Sequence, residues 1–132
     1  MGELEIISMN VRGIATDIKR RDVFMWLRNL KGNIYCLQDI HCRPECENMW
    51  RNEWGFKGIF SPHRSDSRGV AILFNNNFEF KVHKKEIDPE GNFIVIDLEV
   101  DNRRITLACI YGPNRDHPEF YEKIEHSLVI WL

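Results

Sequence analysis

The chain has 132 residues, 43% hydrophobic and 29% charged, with a formal net charge of −2. That length and balance predict one domain with a core to bury, and they exclude a low-complexity chain. The charge excludes a strongly basic protein of the kind that coats nucleic acid non-specifically, although a small basic cleft can hide within such an average.

In chain order, Glu5 to Met9 predicts a first strand, and Asn10 to Thr16 a loop containing Gly13. Asp17 caps a helix over roughly 18–30, with Val23, Trp26, Leu27 and Leu30 as its apolar stripe. Lys31-Gly32-Asn33 stops it. Ile34 to Gln38 is continuous and apolar, as in a strand covered on both faces. Arg43-Pro44 starts a short helix that packs through Met49, Trp50 and Trp54. Gly55 to Phe60 is a short strand, Ser61 to Arg68 a polar loop, and Gly69 to Phe74 another apolar strand. Asn75-Asn76-Asn77 turns the chain. Phe78, Phe80 and Val82 alternate with polar residues, as a half-exposed strand does. After the turn Asp88 to Asn92, a strand from Phe93 to Val100 puts Phe93, Val95, Asp97 and Glu99 on one side. Asp101-Asn102 is a tight hairpin turn, and Arg103 to Tyr111 pairs back. Pro118 opens a last helix with Phe120, Ile124, Leu128 and Trp131 as its stripe.

The order is βαβ, then strands, then a helix, which predicts an α/β or α+β sandwich. The apolar, uncapped ending Val129-Ile130-Trp131-Leu132 predicts a fragment, or an end that packs against a partner. Trp26, Trp50, Trp54 and Trp131 read most simply as core. Lys19-Arg20-Arg21, Arg64 and Arg68 read as solvated charge.

Cys36 and Cys109 lie in apolar strands and read as small core residues. Cys42 and Cys46 flank three residues beside His41, and with no second pair this spacing does not argue for zinc. His41 reads as a loop histidine. No segment looks like a secretory signal or reaches the roughly 18 apolar residues of a membrane span. Reduced thiols in a cytosolic or nuclear setting are therefore expected, with no membrane partner.

Three apolar runs each deliver a polar residue at the C-terminal end, where a sheet enzyme builds its site. The first ends in Asn10, the second in Asp39, and the third in Tyr111-Gly112-Pro113-Asn114. Read singly, Asn10 is a turn residue, Asp39 ends a strand or pairs with Arg12 or Arg43, and Tyr111 is a packed aromatic. Read together, a carboxylate, an amide and a phenol suit a hard divalent cation and a phosphate.

The pieces Ser8-Met9-Asn10-Val11-Arg12-Gly13, Cys36-Leu37-Gln38-Asp39-Ile40-His41, Arg68-Gly69-Val70-Ala71-Ile72-Leu73-Phe74 and Ile110-Tyr111-Gly112-Pro113-Asn114 carry a family likeness. The chain resembles the endonuclease/exonuclease/phosphatase superfamily, and most of all the endonuclease domain of LINE-type (non-LTR) retrotransposon proteins. The resemblance implies a DNase I-like two-sheet sandwich flanked by helices, present here as the N-terminal portion of a single incomplete domain. It implies phosphodiester cleavage with Mg2+ or Mn2+, DNA held through its phosphate backbone, and a reverse transcriptase domain in the parent protein. By the same resemblance, Asp39 and Asn10 hold the metal, Asn10 and Tyr111 act on the scissile phosphate, and Arg12 and Asn114 contact the substrate strand.

Two departures matter. The family usually carries Glu where this chain has Asp39, which is shorter by one methylene, about 1.5 Å. Mg2+ demands near-ideal octahedral geometry, so ligation by the shorter side chain is expected through water. The family's Gly-Asp-x-Asn and Ser-Asp-His strand ends do not occur in the sequence, and none of its five histidines is expected in an Asp–His pair at a strand end. The sequence therefore offers the binding half of a site without its proton-transfer half, and no turnover is expected. A non-catalytic remnant that binds phosphate or a partner is the alternative, as is a phosphatase of the same superfamily. Either way, Asn10, Asp39 and Tyr111 are expected on one rim, and the stripe from Phe120 to Trp131 against an incomplete, aggregation-prone core.

Overall fold

A computed structural model describes residues 4–64 and 67–112. Asn114 and the helix expected after Pro118 lie outside those residues. Among the described residues, two sheets form from seven strands. The first sheet holds β1 (Ile6–Asn10), β2 (Ile34–Gln38), β4 (Val70–Phe74) and β3 (Gly58–Ser61), in that order across the sheet. The second holds β5 (Lys81–Ile87), β6 (Phe93–Val100) and β7 (Arg103–Ile110). β1 and β2 run parallel, joined by helix α1 (Asp17–Asn29), and every other pairing is antiparallel. A 3-10 turn (Pro44–Cys46) leads into helix α2 (Glu47–Trp54).

Strand alternation sorts the core into two layers. Tyr35, Leu37, Ala71, Leu73 and Phe60 face the helices and pack with Phe24, Leu27, Trp50 and Trp54. Cys36, Val70, Ile72 and Phe74 face the second sheet and pack with Ile94, Ile96, Leu98 and Cys109. The first sheet is thus buried on both sides, which is why β2 and β4 are unbroken apolar runs. The β6–β7 hairpin closes through Asp101 and Asn102 with φ of 57° and 64°, as a two-residue type I′ turn requires.

Several expectations need correction. The N-cap of α1 is Thr16, and Asp17 is its first residue. The face that α1 buries runs through Arg20, Phe24 and Leu27, while Trp26 and Leu30 are exposed. Met49 is exposed too, so α2 packs through Trp50 and Trp54 alone of the three. Phe78 and Phe80 precede β5 instead of lying in it; Phe80 stacks between Phe74 and Phe78.

The largest departure is Arg20, which is completely buried. Its Nε donates to Glu53 at 2.8 Å, Nη1 to the carbonyls of Ile14 (3.2 Å) and Ala15 (2.9 Å), and Nη2 to Asp17 (2.6 Å) and Glu53 (3.1 Å). Those contacts use all five donors of the fork. The guanidinium also lies 4.7 Å from the centre of the Trp50 ring. Burial on its own lowers the Arg20 pKa, but the bonds to Glu53 and Asp17 outweigh it and raise the pKa above its ordinary value. Arg20 thereby pins the loop after β1 to α2, and so fixes the strand end that carries Asn10.

Candidate functional site

Parallel pairing sets Asn10 opposite Gln38, so β1 and β2 end side by side. The ladder continues beyond them: the N–H groups of Val11, Gly13 and Ile14 donate to the carbonyls of Gln38, Asp39 and Ile40 at 2.9, 2.7 and 3.0 Å. Ile7 and Met9 pack on the helix side, so Ser8 and Asn10 project from the opposite face. That face looks toward the second sheet, whose nearest strand end is the C-terminus of β7. Tyr111 is anchored there by its N–H donating to the Asn92 carbonyl at 2.7 Å.

The result is an open cleft of about 670 Å3 lined by Ser8, Asn10, Arg12, Gln38, Asp39, Ile110, Tyr111 and Gly112. Four of the five residues singled out from the sequence are brought together: Asn10, Arg12, Asp39 and Tyr111. The fifth, Asn114, lies outside the described residues.

Asn10 behaves as an Asx turn, its side-chain oxygen accepting the Arg12 N–H at 3.0 Å. That bond lets Arg12 take a left-handed φ of 51°. Asp39 also has a left-handed φ, 59°, and so does His41, 61°. Non-glycine residues rarely sit there, and strain of this kind clusters at functional sites. Neighbouring backbone over-determines it. Ile40 and His41 donate to the carbonyls of Gly69 and Arg68, both at 3.0 Å. Gly69, at φ 89°, approaches so closely that a Cβ there would stand 2.9 Å from the Ile40 side chain.

The Asp39 carboxylate is engaged by His41, whose Nε2 lies 2.6 Å from Oδ1. This overturns two expectations. The partner supplied for Asp39 is His41 rather than Arg12 or Arg43, and an Asp–His pair does stand at a strand end. The spacing Asp-Ile-His conceals it, because only two left-handed residues fold His41 back onto Asp39. Sequence reasoning also passed over Gln38 and Ser8 as site residues. Gln38 Nε2 donates to Ser8 Oγ at 2.9 Å and to the Cys36 carbonyl at 3.3 Å, so it ties β1 to β2 on the cleft floor. Period-two alternation with Asn10 was the available signal for Ser8.

Asp39 is the one carboxylate among the residues lining the cleft. Among the described residues, no three His, Cys, Asp or Glu side chains gather into a metal-ligating group. Hard oxygen donors are present in Asp39, Asn10, Gln38 and Tyr111, which is the donor type Mg2+ prefers. Among the described residues, no helix is long and apolar enough to cross a membrane.

The two packed sheets with helices on the outer face, and a polar cleft at the joint ends of β1, β2 and β7, are the N-terminal portion of the DNase I-like fold, as the resemblance to the endonuclease/exonuclease/phosphatase superfamily implied. The fold of the AP endonuclease LMAP from Leishmania major matches over 91% of this chain and 43% of that one, at 18% identity and a TM-score of 0.64. TDP2 from Caenorhabditis elegans matches over 96% and 42%, at 15% identity and a TM-score of 0.67. The endonuclease domain of TRAS1, a telomere-specific non-LTR retrotransposon, matches over 93% and 52%, at 16% identity and a TM-score of 0.57. In sequence, the chain is 25% identical over 123 residues to the transposon TX1 uncharacterized 149 kDa protein of Xenopus laevis, covering 92% of this chain and 9% of that protein. The chain therefore spans about half the length of the solved structures and a small part of the transposon protein. No protein-family model matches it.

Proposed function

We propose that this chain is part of a phosphodiester-cleaving endonuclease domain of a retrotransposon-type protein, holding the metal- and phosphate-binding half of a DNA-nicking site. The observation that carries the reading is the convergence of Asn10, Asp39 and Tyr111 on one cleft. The likeness to a retrotransposon endonuclease domain and to a transposon protein supports the choice of parent. A reverse transcriptase in that parent remains part of the proposal.

A divalent ion, Mg2+ or Mn2+, would be held by Asp39 with an amide oxygen from Asn10 or Gln38, and would offset charge on the phosphate. His41 fixes the Asp39 carboxylate through one oxygen, leaving the other for the ion or its water. The Asn10 amide nitrogen and the Tyr111 hydroxyl then donate to phosphate oxygens, and Arg12 adds positive charge at the mouth. Among the described residues the cleft has no carboxylate besides Asp39, and His41, held on Asp39, does not line it, so the 132-residue chain is expected to bind without turning over. A non-catalytic remnant would share this binding chemistry.

Mn2+ binding followed by electron paramagnetic resonance tests the reading, with plasmid nicking in Mg2+ run alongside. One Mn2+ should bind the chain, Asp39→Ala should abolish it, and Tyr111→Phe should leave it intact while weakening Mn2+-dependent binding of thymidine monophosphate. Absence of Mn2+ binding by the unmodified chain would sink the metal site. Nicking by that chain, lost in both variants, would keep the nuclease and overturn the expected lack of turnover.

A further inference from the structure

The cleft just described lies where β1 and β7 border the two sheets. The opposite borders are β3 in the first sheet and β5 in the second, and between them runs a second groove, of about 610 Å3. Twelve residues line it; five are Lys or Arg, and none is Asp or Glu. In a chain of net charge −2 that is a strong local concentration of one sign. Lys57, Lys81, Lys84 and Lys85 are all exposed. Glu47 pairs with Arg51 at 2.6 Å and Glu99 with His83 at 2.7 Å, offsetting those two lining residues, and Asp97 pairs with Arg104 at 3.0 Å, so the charge of the groove rests on the four lysines. The floor is apolar, with Phe80 stacked on Phe74 at 3.9 Å and Lys57 Nζ 5.3 Å from the Phe80 ring centre.

We infer that this groove is a second nucleic-acid contact, taking the sugar–phosphate backbone of one strand on the far side of the molecule from the candidate nicking site. Low-dielectric walls lined with one sign of charge focus the field and attract a polyanion. A positively charged groove that follows the backbone is how proteins hold a single strand without reading its sequence. Phe80 already has Phe74 against it and Lys57 over it, so the contact reads charge and not base identity. The choice of nucleic acid over other polyanions rests on the nuclease reading; the groove and its charge do not.

The test is fluorescence anisotropy of a labelled 20-residue oligothymidylate with the full chain, in EDTA, from 50 to 200 mM KCl. EDTA removes any contribution from a metal at Asp39, so this result and the Mn2+ result stand or fall separately. Four lysine–phosphate contacts on a single strand predict a log–log salt slope of about −3. Lys81→Gln with Lys85→Gln should reduce that slope by about 1.4 and weaken binding roughly tenfold at low salt. Arg21→Gln with Lys31→Gln makes the same charge change at exposed positions outside the groove and should bind as the unmodified chain does. Oligoadenylate should bind equally well. No binding by the unmodified chain would overturn the inference, as would equal losses in the two double variants. Competition by polyglutamate as strong as by oligothymidylate would assign the groove to an acidic peptide instead, and preference for duplex would overturn the single-strand assignment.

Discussion

His41 Nε2 stands 2.6 Å from Asp39 Oδ1, and the imidazole fits there because residue 13 is glycine. A Cβ on Gly13 would lie 2.4 Å from His41 Nδ1 and 2.8 Å from Cε1, and Gly13 has a φ of 80°. Gly13→Ala should therefore cost about 1–3 kcal/mol of stability through the ring clash and the left-handed backbone. A double-mutant cycle in urea separates the two. In a His41→Ala background the clash is gone and only the backbone cost remains, so the penalty should shrink. An equal penalty in both backgrounds would mean that Gly13 does not make room for His41.

Arg20 offers a sharper case. Its five donors meet two carboxylates and two carbonyls inside the protein. Removing it leaves those carbonyls and Glu53 without a partner, and breaking a buried pair costs about 3–5 kcal/mol. Asp17 is largely exposed and Glu53 partly so, which places Arg20→Ala near the lower end of that range. Arg20→Lys keeps the charge but not the planar fork, so it should still lose about 1–3 kcal/mol. Chemical denaturation of the two variants checks both values, and a neutral Arg20→Lys would refute the role given to the fork.

Arg20 also marks where the sequence stops being legible. Unbroken apolar runs located β2 and β4, and apolar patterning located β6, β7, α1 and α2, because burying apolar surface leaves a trace in the residues themselves. The placement of Asn10, Asp39 and Tyr111 at or just past strand ends was legible for a related reason: the apolar run before each fixes where the strand stops. Arg20 and Trp26 exchanged their expected places because Glu53, 33 residues on, and the carbonyls of the preceding loop decide whether this arginine is buried. Within α1 only Asp17 hints at it. The Asp39–His41 pair was hidden likewise, since left-handed backbone at non-glycine residues has no compositional mark. Its cause lies some 30 residues away, in the Arg68-Gly69 backbone that clamps residues 40 and 41.

Thiol reactivity should separate the four cysteines. Burial, followed by the nearby Cys46 and Glu47, pushes the Cys42 thiol up to about 12. Cys109 is held well above its ordinary range by its hydrogen bond with Cys36 and by burial. The Cys36 thiol, lowered by its hydrogen bond with Cys109, is kept from reagents by burial instead, and Cys46 alone of the four is partly accessible. The thiolate is the reactive species, so a native chain at pH 8 should release about one equivalent of thionitrobenzoate rapidly from Ellman's reagent. The other three should respond only on unfolding. Cys46→Ser should remove the rapid phase; its survival in that variant would place the reactive thiol elsewhere.

Two tryptophans of the same chain should answer substitution in opposite ways. Trp26 is 48% exposed on α1, while Trp54 is 4% exposed at the end of α2. The Trp54 indole packs edge-on against Phe24 and Tyr35, at 5.5 and 5.7 Å between ring centres, and its Nε1 donates to the Phe74 carbonyl at 3.0 Å. Trp54→Phe keeps an aromatic ring but strands that buried carbonyl and leaves a void, so about 1–3 kcal/mol should be lost. Trp26→Lys removes an exposed ring from the solvent face of a helix, where lysine is a good helix former, and should change stability by less than about 0.5 kcal/mol. Urea midpoints read both outcomes. A large loss at Trp26 would mean that this face of α1 is covered in the folded protein, and the helix would then have a second packing surface that its exposed Ile18 and Met25 also join.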